Sequence, residues 1–336
     1  MSDRKPSRTA HKAAATQGQE PSPGDARPLV ILVGGPTASG KSALASAIAG
    51  AFDGTVINAD SMQIYRGIEI LTAQPDAQAQ AAVPHRLYGD LPPSEACSVG
   101  RWRTLAVAEI DASLAAGRMP VLAGGTGLYL RSLMQGLAPV PDVPAGVRER
   151  ASARMSALGP AGLHAELARR DPALALRLRP TDRQRIQRAW EVIEATGRSL
   201  ADWQSETPGE PRYRFLPVIL MPPRELVYPA CDARFAGMIE AGAVDEVRRL
   251  LALKLDPMLP AMKAVGVREL AAFLAGRLSL AEATAKGQQA TRNYAKRQYT
   301  WFGNQMSPEK TGSLTYFEQY SESLAQRIFA NIRLCC

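Results

Sequence analysis

An α/β fold, in which a P-loop parallel sheet core carries an inserted helical domain, is what this sequence predicts, and three observations carry that reading. Residues 29–33 form a continuous apolar run, as expected of a strand buried on both faces, and the run closes on Gly34-Gly35-Pro36. Two more short strand candidates end in loops in the same sense: 55–58 before Ala59-Asp60, and 120–123 before Gly124-Gly125-Thr126-Gly127. Between residues 142 and 198 the texture changes to amphipathic helical spacing, with eleven arginines against seven aspartates and glutamates.

Taken in order, residues 1–28 hold charged and small residues without an apolar run, so they lack the core of a secretory signal and read as a disordered tail. The strand at 29–33 opens the first part of the core, 29–140. Residues 42–52 place alanine, leucine and isoleucine at helical spacing, and with the strand at 55–58 they complete a βαβ unit. The insertion, 141–204, predicts helices over 147–158, 163–169 and 183–195. A polar linker containing proline, 205–212, leads to the apolar run 215–221, which returns to the sheet. The second part of the core, 213–310, is otherwise helical over 224–253, 267–275 and 281–302. Residues 311–336 form a C-terminal segment.

The chain has 336 residues, of which 46% are hydrophobic, enough for one sizeable core and a smaller unit. A formal charge of +8 favours an anionic partner, nucleic acid ahead of a phosphorylated small molecule. The four cysteines, Cys97, Cys231, Cys335 and Cys336, match neither a zinc site nor a disulfide framework, so a reducing cytoplasm is expected. The absence of an apolar run of about 18 residues excludes a membrane-spanning helix. Aromatic residues at 6% argue against a broad stacking platform for single strands.

Gly35-Pro36-Thr37-Ala38-Ser39-Gly40-Lys41-Ser42 matches the P-loop pattern in full, between a predicted strand and a predicted helix. Its glycines let backbone N–H groups turn toward one anion, and the helix N-terminus adds the positive end of its dipole. Lys41 supplies a cation, and the Ser42 hydroxyl is placed to ligate Mg2+, the expected cofactor. The motif alone leaves the phosphate compound open, with ATP or GTP, as in nucleotide hydrolases and kinases, as the default. Asp60, just beyond the second strand, lies in the crevice where open α/β sheets place ligands, beside the P-loop strand or one strand away. A carboxylate there acts as a general base, orders magnesium, or caps a helix. The Thr37 hydroxyl either donates to the oxygen that gathers charge as a diphosphate leaves or makes a local loop bond. By itself, Arg234 reads as a solvated helix arginine.

Four further segments accompany the P-loop: Asn58-Ala59-Asp60-Ser61-Met62-Gln63-Ile64-Tyr65-Arg66, Leu122-Ala123-Gly124-Gly125-Thr126-Gly127-Leu128-Tyr129-Leu130-Arg131, Asp182-Arg183-Gln184-Arg185-Ile186-Gln187-Arg188-Ala189, and Tyr294-Ala295-Lys296-Arg297-Gln298-Tyr299-Thr300-Trp301-Phe302. In order and spacing, across about residues 29–303, the set resembles the tRNA dimethylallyltransferase (tRNA isopentenyltransferase) family. The resemblance implies transfer of a dimethylallyl group from dimethylallyl diphosphate to the exocyclic amine of the adenosine 3′ of the anticodon, giving isopentenyladenosine and diphosphate. It further implies that the P-loop holds the diphosphate with magnesium and without ATP hydrolysis, and that the insertion grips the tRNA anticodon stem-loop.

Under the same resemblance Asp60 takes the amine proton, while Thr37 and Arg234 attend the diphosphate. Asp60, Ser61, Met62 and Gln63 fall on the adenine side, and Thr126 and Arg148 also face tRNA. Gln184, Arg185, Ile186, Gln187 and Arg188 lie in the gripping segment, where arginine forks suit phosphates and glutamine suits adenine. Lys263, Arg268, Lys296 and Arg297 continue the RNA surface. A monomer without membrane attachment is expected. The chain departs from the family pattern at Leu71 and Gln74, which stand for a glycine and a lysine, and at Ala230 and Gly303, which stand where arginines are common.

Overall fold

The computed structural model describes residues 26–206 and 211–336, so most of the tail read at 1–28 and the middle of the linker lie outside the described residues. Strands β1 (Leu29–Gly34), β2 (Gly54–Asn58), β3 (His85–Arg86), β4 (Met119–Gly124), β5 (Arg214–Leu220) and β6 (Leu314–Tyr316) form one sheet among the described residues. Their order is β3-β2-β4-β1-β5-β6, and every pairing is parallel. The apolar run in β1 dictates its central place. Val30 and Leu32 point into one core cluster with Ile57, Trp102 and Leu122, whereas Ile31 and Val33 point into another with Leu44, Ile48 and Val218. A strand with two apolar faces is stable only where both faces are covered.

The register sets Val33 opposite Ala123 on one side and Val218 on the other, so the loops leaving β1 and β4 start side by side. Asp60 therefore sits one strand away from the P-loop strand, with β4 between them.

Several elements differ from the sequence reading. Strands β3 and β6 are two- and three-residue edges without periodicity to betray them. The expected helix over 224–253 is two helices, Arg224–Glu240 and Ala243–Ala252, because Gly242 at φ 102° takes a left-handed conformation that ends one and starts the next. Helices Val99–Ala115 and Glu322–Cys335 were not expected. Each starts at a serine whose hydroxyl accepts a backbone N–H three residues on, Ser98 from Arg101 at 3.1 Å and Ser321 from Leu324 at 3.2 Å. Leu324, Ile328, Phe329 and Ile332 join the cluster around Ile31 and Val33, so the C-terminal segment covers one face of the sheet.

The chain divides into two units: one runs to Met134 and resumes over Arg212–Cys336, and the other is Gln135–Pro211. Within the second unit, helix Ala145–Arg170 joins the two helices expected at 147–158 and 163–169 and kinks at Gly159, whose φ is 67° ahead of Pro160. It packs with helix Arg183–Thr196 around Val147, Ala151, Met155, Ile186 and Trp190.

Candidate active site

The P-loop connects β1 to helix Lys41–Ala51, whose first N–H groups have no partner inside the helix and face the loop. Gly35, at φ 147°, has no room for a side chain, since a Cβ there would lie 2.3 Å from the Leu220 carbonyl oxygen. The loop is tied to two other elements through Thr37. Its N–H donates to Gln298 Oε1 at 2.8 Å, and its hydroxyl accepts from the Arg234 guanidinium. Gln298 Nε2 donates in turn to Gly125 O at 2.9 Å, so one buried amide joins the loops after β1 and β4 to helix Leu280–Gln305. The Thr37 N–H is thereby engaged by protein, which leaves anion binding to the later N–H groups of the loop. Because Thr37 Oγ accepts from Arg234, its own proton remains available to an oxygen on the ligand side. Among the described residues the buried Ser39 hydroxyl has no hydrogen-bond partner, as expected of a group built to meet a ligand.

Asp60 is aimed by Asn58, which is fully buried at the end of β2. Asn58 Oδ1 accepts from Asp60 N at 2.7 Å, and its Nδ2 donates to Asp60 O at 3.0 Å and Leu87 O at 2.9 Å. Trp102 Nε1 donates to the Asn58 carbonyl at 2.9 Å. Asp60 Oδ1 accepts from Met62 N at 2.9 Å, which is a local capping bond. Among the described residues no donor is paired with Oδ2. Asp60 also acts on its neighbours: its charge adds to burial in raising the Tyr294 and Tyr88 hydroxyls, which stay protonated phenols. Burial lowers Lys41 to about 8, against the pull of Asp60 and with the push of Arg234.

Asp60 and Tyr294 share a cavity of about 190 Å³ with Thr37 and Arg234. Thr37, Asp60, Arg234, Lys263, Tyr294 and Arg297 supply its polar wall, and Leu71, Cys231, Phe235, Met238 and Val265 its apolar one. One carboxylate faces three cations across that space, and the apolar wall stands beside the phosphate cradle.

Of the residues singled out in the sequence, Ser61, Met62, Lys263 and Arg297 reach this cavity. Gln63 does not line it; its amide donates to Thr72 O at 2.9 Å and Ala73 O at 2.8 Å and staples the following turn. Thr126 Oγ1 accepts from Ser61 N at 2.9 Å and donates to Ser61 Oγ, so it positions the Asp60 loop. Arg268 and Lys296 are exposed. Within the second unit Arg148, Gln184 and Arg185 are exposed, Arg188 lies 3.8 Å from Glu191, and Gln187 donates to Glu191 at 3.0 Å. Ile186 is corrected: at 0% exposure its side chain belongs to the core of that unit and cannot meet RNA.

Sequence reasoning passed over Asn58, Gln298, Tyr294 and the apolar wall. Tyr294 and Gln298 lie inside a quoted motif, and their mixture of charge and aromatic character looked like surface. Phe235 and Met238 carry a helical i, i+3 signal that is indistinguishable from core.

Fold and site together define a class: a P-loop protein whose phosphate cradle opens on a carboxylate and an apolar wall, suited to moving an apolar group from a phosphate. A family profile described as IPP transferase matches residues 63–305, and one described as Zeta toxin matches 12–85, the stretch holding the P-loop. The chain is 59% identical over 280 residues to the tRNA dimethylallyltransferase of Rhodospirillum centenum, covering 83% of this chain and 89% of that one. It is 54% identical over 304 residues to the tRNA dimethylallyltransferase of Rhodospirillum rubrum, covering 90% and 93%. Among solved structures, the tRNA isopentenylpyrophosphate transferase of Bacillus halodurans is similar at a TM-score of 0.66 and 30% identity, covering 91% of this chain and 96% of that one. A eukaryotic dimethylallyltransferase acting on tRNA is similar at a TM-score of 0.78 and 27% identity, covering 90% and 78%. This chain belongs to the IPP transferase family.

Proposed function

We propose that the chain transfers the dimethylallyl group from dimethylallyl diphosphate to the exocyclic amine of the adenosine 3′ of the anticodon in tRNA, releasing diphosphate. The observation that carries this reading is the common cavity of Asp60, Thr37 and Arg234 with an apolar wall beside the P-loop. The allylic C–O bond breaks as the amine nitrogen bonds to that carbon. Asp60 takes the amine proton, and the electron pair of the broken bond leaves with the diphosphate. Thr37 and Arg234 meet the charge that gathers on the bridging oxygen, and Lys41 and the helix N-terminus hold the rest. No helix among the described residues is long and apolar enough to cross a membrane; cytoplasmic work as a monomer belongs to the same proposal.

Ser42, on the first turn of the P-loop helix, and the unpaired Ser39 hydroxyl fit Mg2+ bound with a diphosphate. Among the described residues no group of three or more His, Cys, Asp or Glu side chains could hold a metal alone, so the diphosphate would complete its shell. Magnesium there would neutralise charge on the leaving group.

The test is incubation with dimethylallyl diphosphate and undermodified tRNA, with ATP in parallel, followed by nucleoside mass analysis. A prenylated adenosine formed without ATP supports the reading, whereas ATP turnover without prenylation overturns it. Two further outcomes are expected. Pyrophosphate affinity falls as pH rises through about 8, where Lys41 loses its charge, and Lys41→Ala binds weakly at every pH without that step; calorimetry over pH 6–9 checks both. Transfer RNA affinity falls steeply with salt through counterion release, and replacing Arg185 and Arg188 by alanine makes the log–log slope shallower by about two. An unchanged slope would place the phosphate contacts elsewhere.

A further inference from the structure

We infer that Phe235 and Leu71 form the fixed end of the donor pocket and limit the transferred group to five carbons. The inference rests on the proposed reading of the cavity as a prenyl-donor site. Arg234 reaches the P-loop through Thr37 and so marks the diphosphate end. The next residue on the same helix, Phe235, lines the apolar wall together with Leu71 and Met238.

The Phe235 ring has nowhere to retreat. It rests on two glycines: a Cβ at Gly287 would come within 2.1 Å of Phe235 Cζ, and one at Gly266 within 2.8 Å of Phe235 Cε2. The same added Cβ at Gly266 would lie 2.8 Å from Leu71 Cδ1, so both side chains press on one stretch of backbone. Leu71 is also pinned from its own main chain. The carboxylate of Glu246, 1% exposed, accepts from Leu71 N at 2.8 Å and Ile70 N at 2.9 Å. A wall backed by main chain and held by a buried carboxylate cannot make room for a second isoprene unit without displacing the helix behind it, and overfilling so tight a site is unfavourable.

The experiment compares dimethylallyl with geranyl diphosphate as donors to undermodified tRNA, for the unaltered chain and for Phe235→Ala, Phe235→Leu and Leu71→Ala. The reaction is the same for both donors, with an allylic C–O bond exchanged for a C–N bond and diphosphate released, so product mass reads the group transferred. The unaltered chain is expected to use dimethylallyl diphosphate and reject the ten-carbon donor. In Phe235→Ala and Leu71→Ala the geranyl to dimethylallyl ratio of kcat/KM should rise at least about 100-fold, as expected when several methylenes gain space in an apolar pocket. If Phe235→Ala fails to fold, Phe235→Leu and Leu71→Ala decide. Normal dimethylallyl transfer by the unaltered chain with an unmoved ratio in every folded variant overturns the gauge alone. No dimethylallyl transfer by the unaltered chain overturns the reading of the site, and the gauge with it.

Discussion

Replacing Asp60 with asparagine is expected to leave a folded protein that binds both substrates and turns over roughly a hundred to ten thousand times more slowly. Asparagine fits the position, because its side-chain oxygen still accepts from Met62 N and the Asn58 bonds to the Asp60 main chain are untouched. What disappears is basicity at the carboxylate oxygen without a protein donor. Single-turnover rates with saturating tRNA and donor measure this directly, and filter binding of tRNA provides the control. Retained turnover with weakened pyrophosphate or magnesium binding would make Asp60 a metal-ordering group and transfer the proton to the diphosphate itself.

Arg234→Ala is expected to lower kcat about a hundred- to a thousandfold, the usual cost of removing one donor aimed at developing charge. Burial weighs against the charge of this guanidinium, while the neighbouring Cys231 and Asp60 favour it, so it is held next to the P-loop at a desolvation cost that a bound diphosphate would offset. Its bond to the Thr37 hydroxyl makes the two residues a relay, since the guanidinium takes the Thr37 lone pair and leaves the proton for the bridging oxygen. Arg234→Ala combined with Thr37→Val should therefore be little slower than either single variant, because both remove one unit. Multiplicative losses would show that they act separately. Arg234→Lys should recover only part of the rate, because a compact ammonium cannot reproduce a planar fork.

The four longer strands were readable because their apolar runs are bounded by glycine and polar turns, and the P-loop because its spacing is unmistakable between a strand and a helix. The edges β3 and β6 are too short to carry a pattern, and their pairing is decided by neighbours far along the chain. Helix Val99–Ala115 does place Trp102, Ala106 and Ile110 at i, i+4 spacing, but small alanines around them dilute the contrast between its faces. The break at Gly242 hid inside a long run with good helix formers on both sides. At the site, charged and nucleophilic side chains were legible as types. The groups that aim them were not, since a buried asparagine or glutamine looks like surface until the tertiary fold surrounds it. Gln298 shows this best, because its two partners come from loops that only the sheet order brings together.

That same amide has a consequence for biosynthesis. The Thr37–Gln298 bond spans 261 positions, and the Tyr320 main chain packs still later against Gly40, where an added Cβ would lie 3.3 Å from Tyr320 N. On the ribosome the P-loop segment emerges well before Gln298 and Tyr320 and lacks their bracing until both have been made. Strand β1 likewise waits for β4 and β5, its two neighbours, both of which follow it in synthesis. Contacts of such long range close slowly. A nascent chain stalled short of residue 298 would expose apolar sheet faces and an unbraced phosphate loop, so pyrophosphate binding should be acquired only after that residue has emerged and protection from aggregation should fall to chaperones until then.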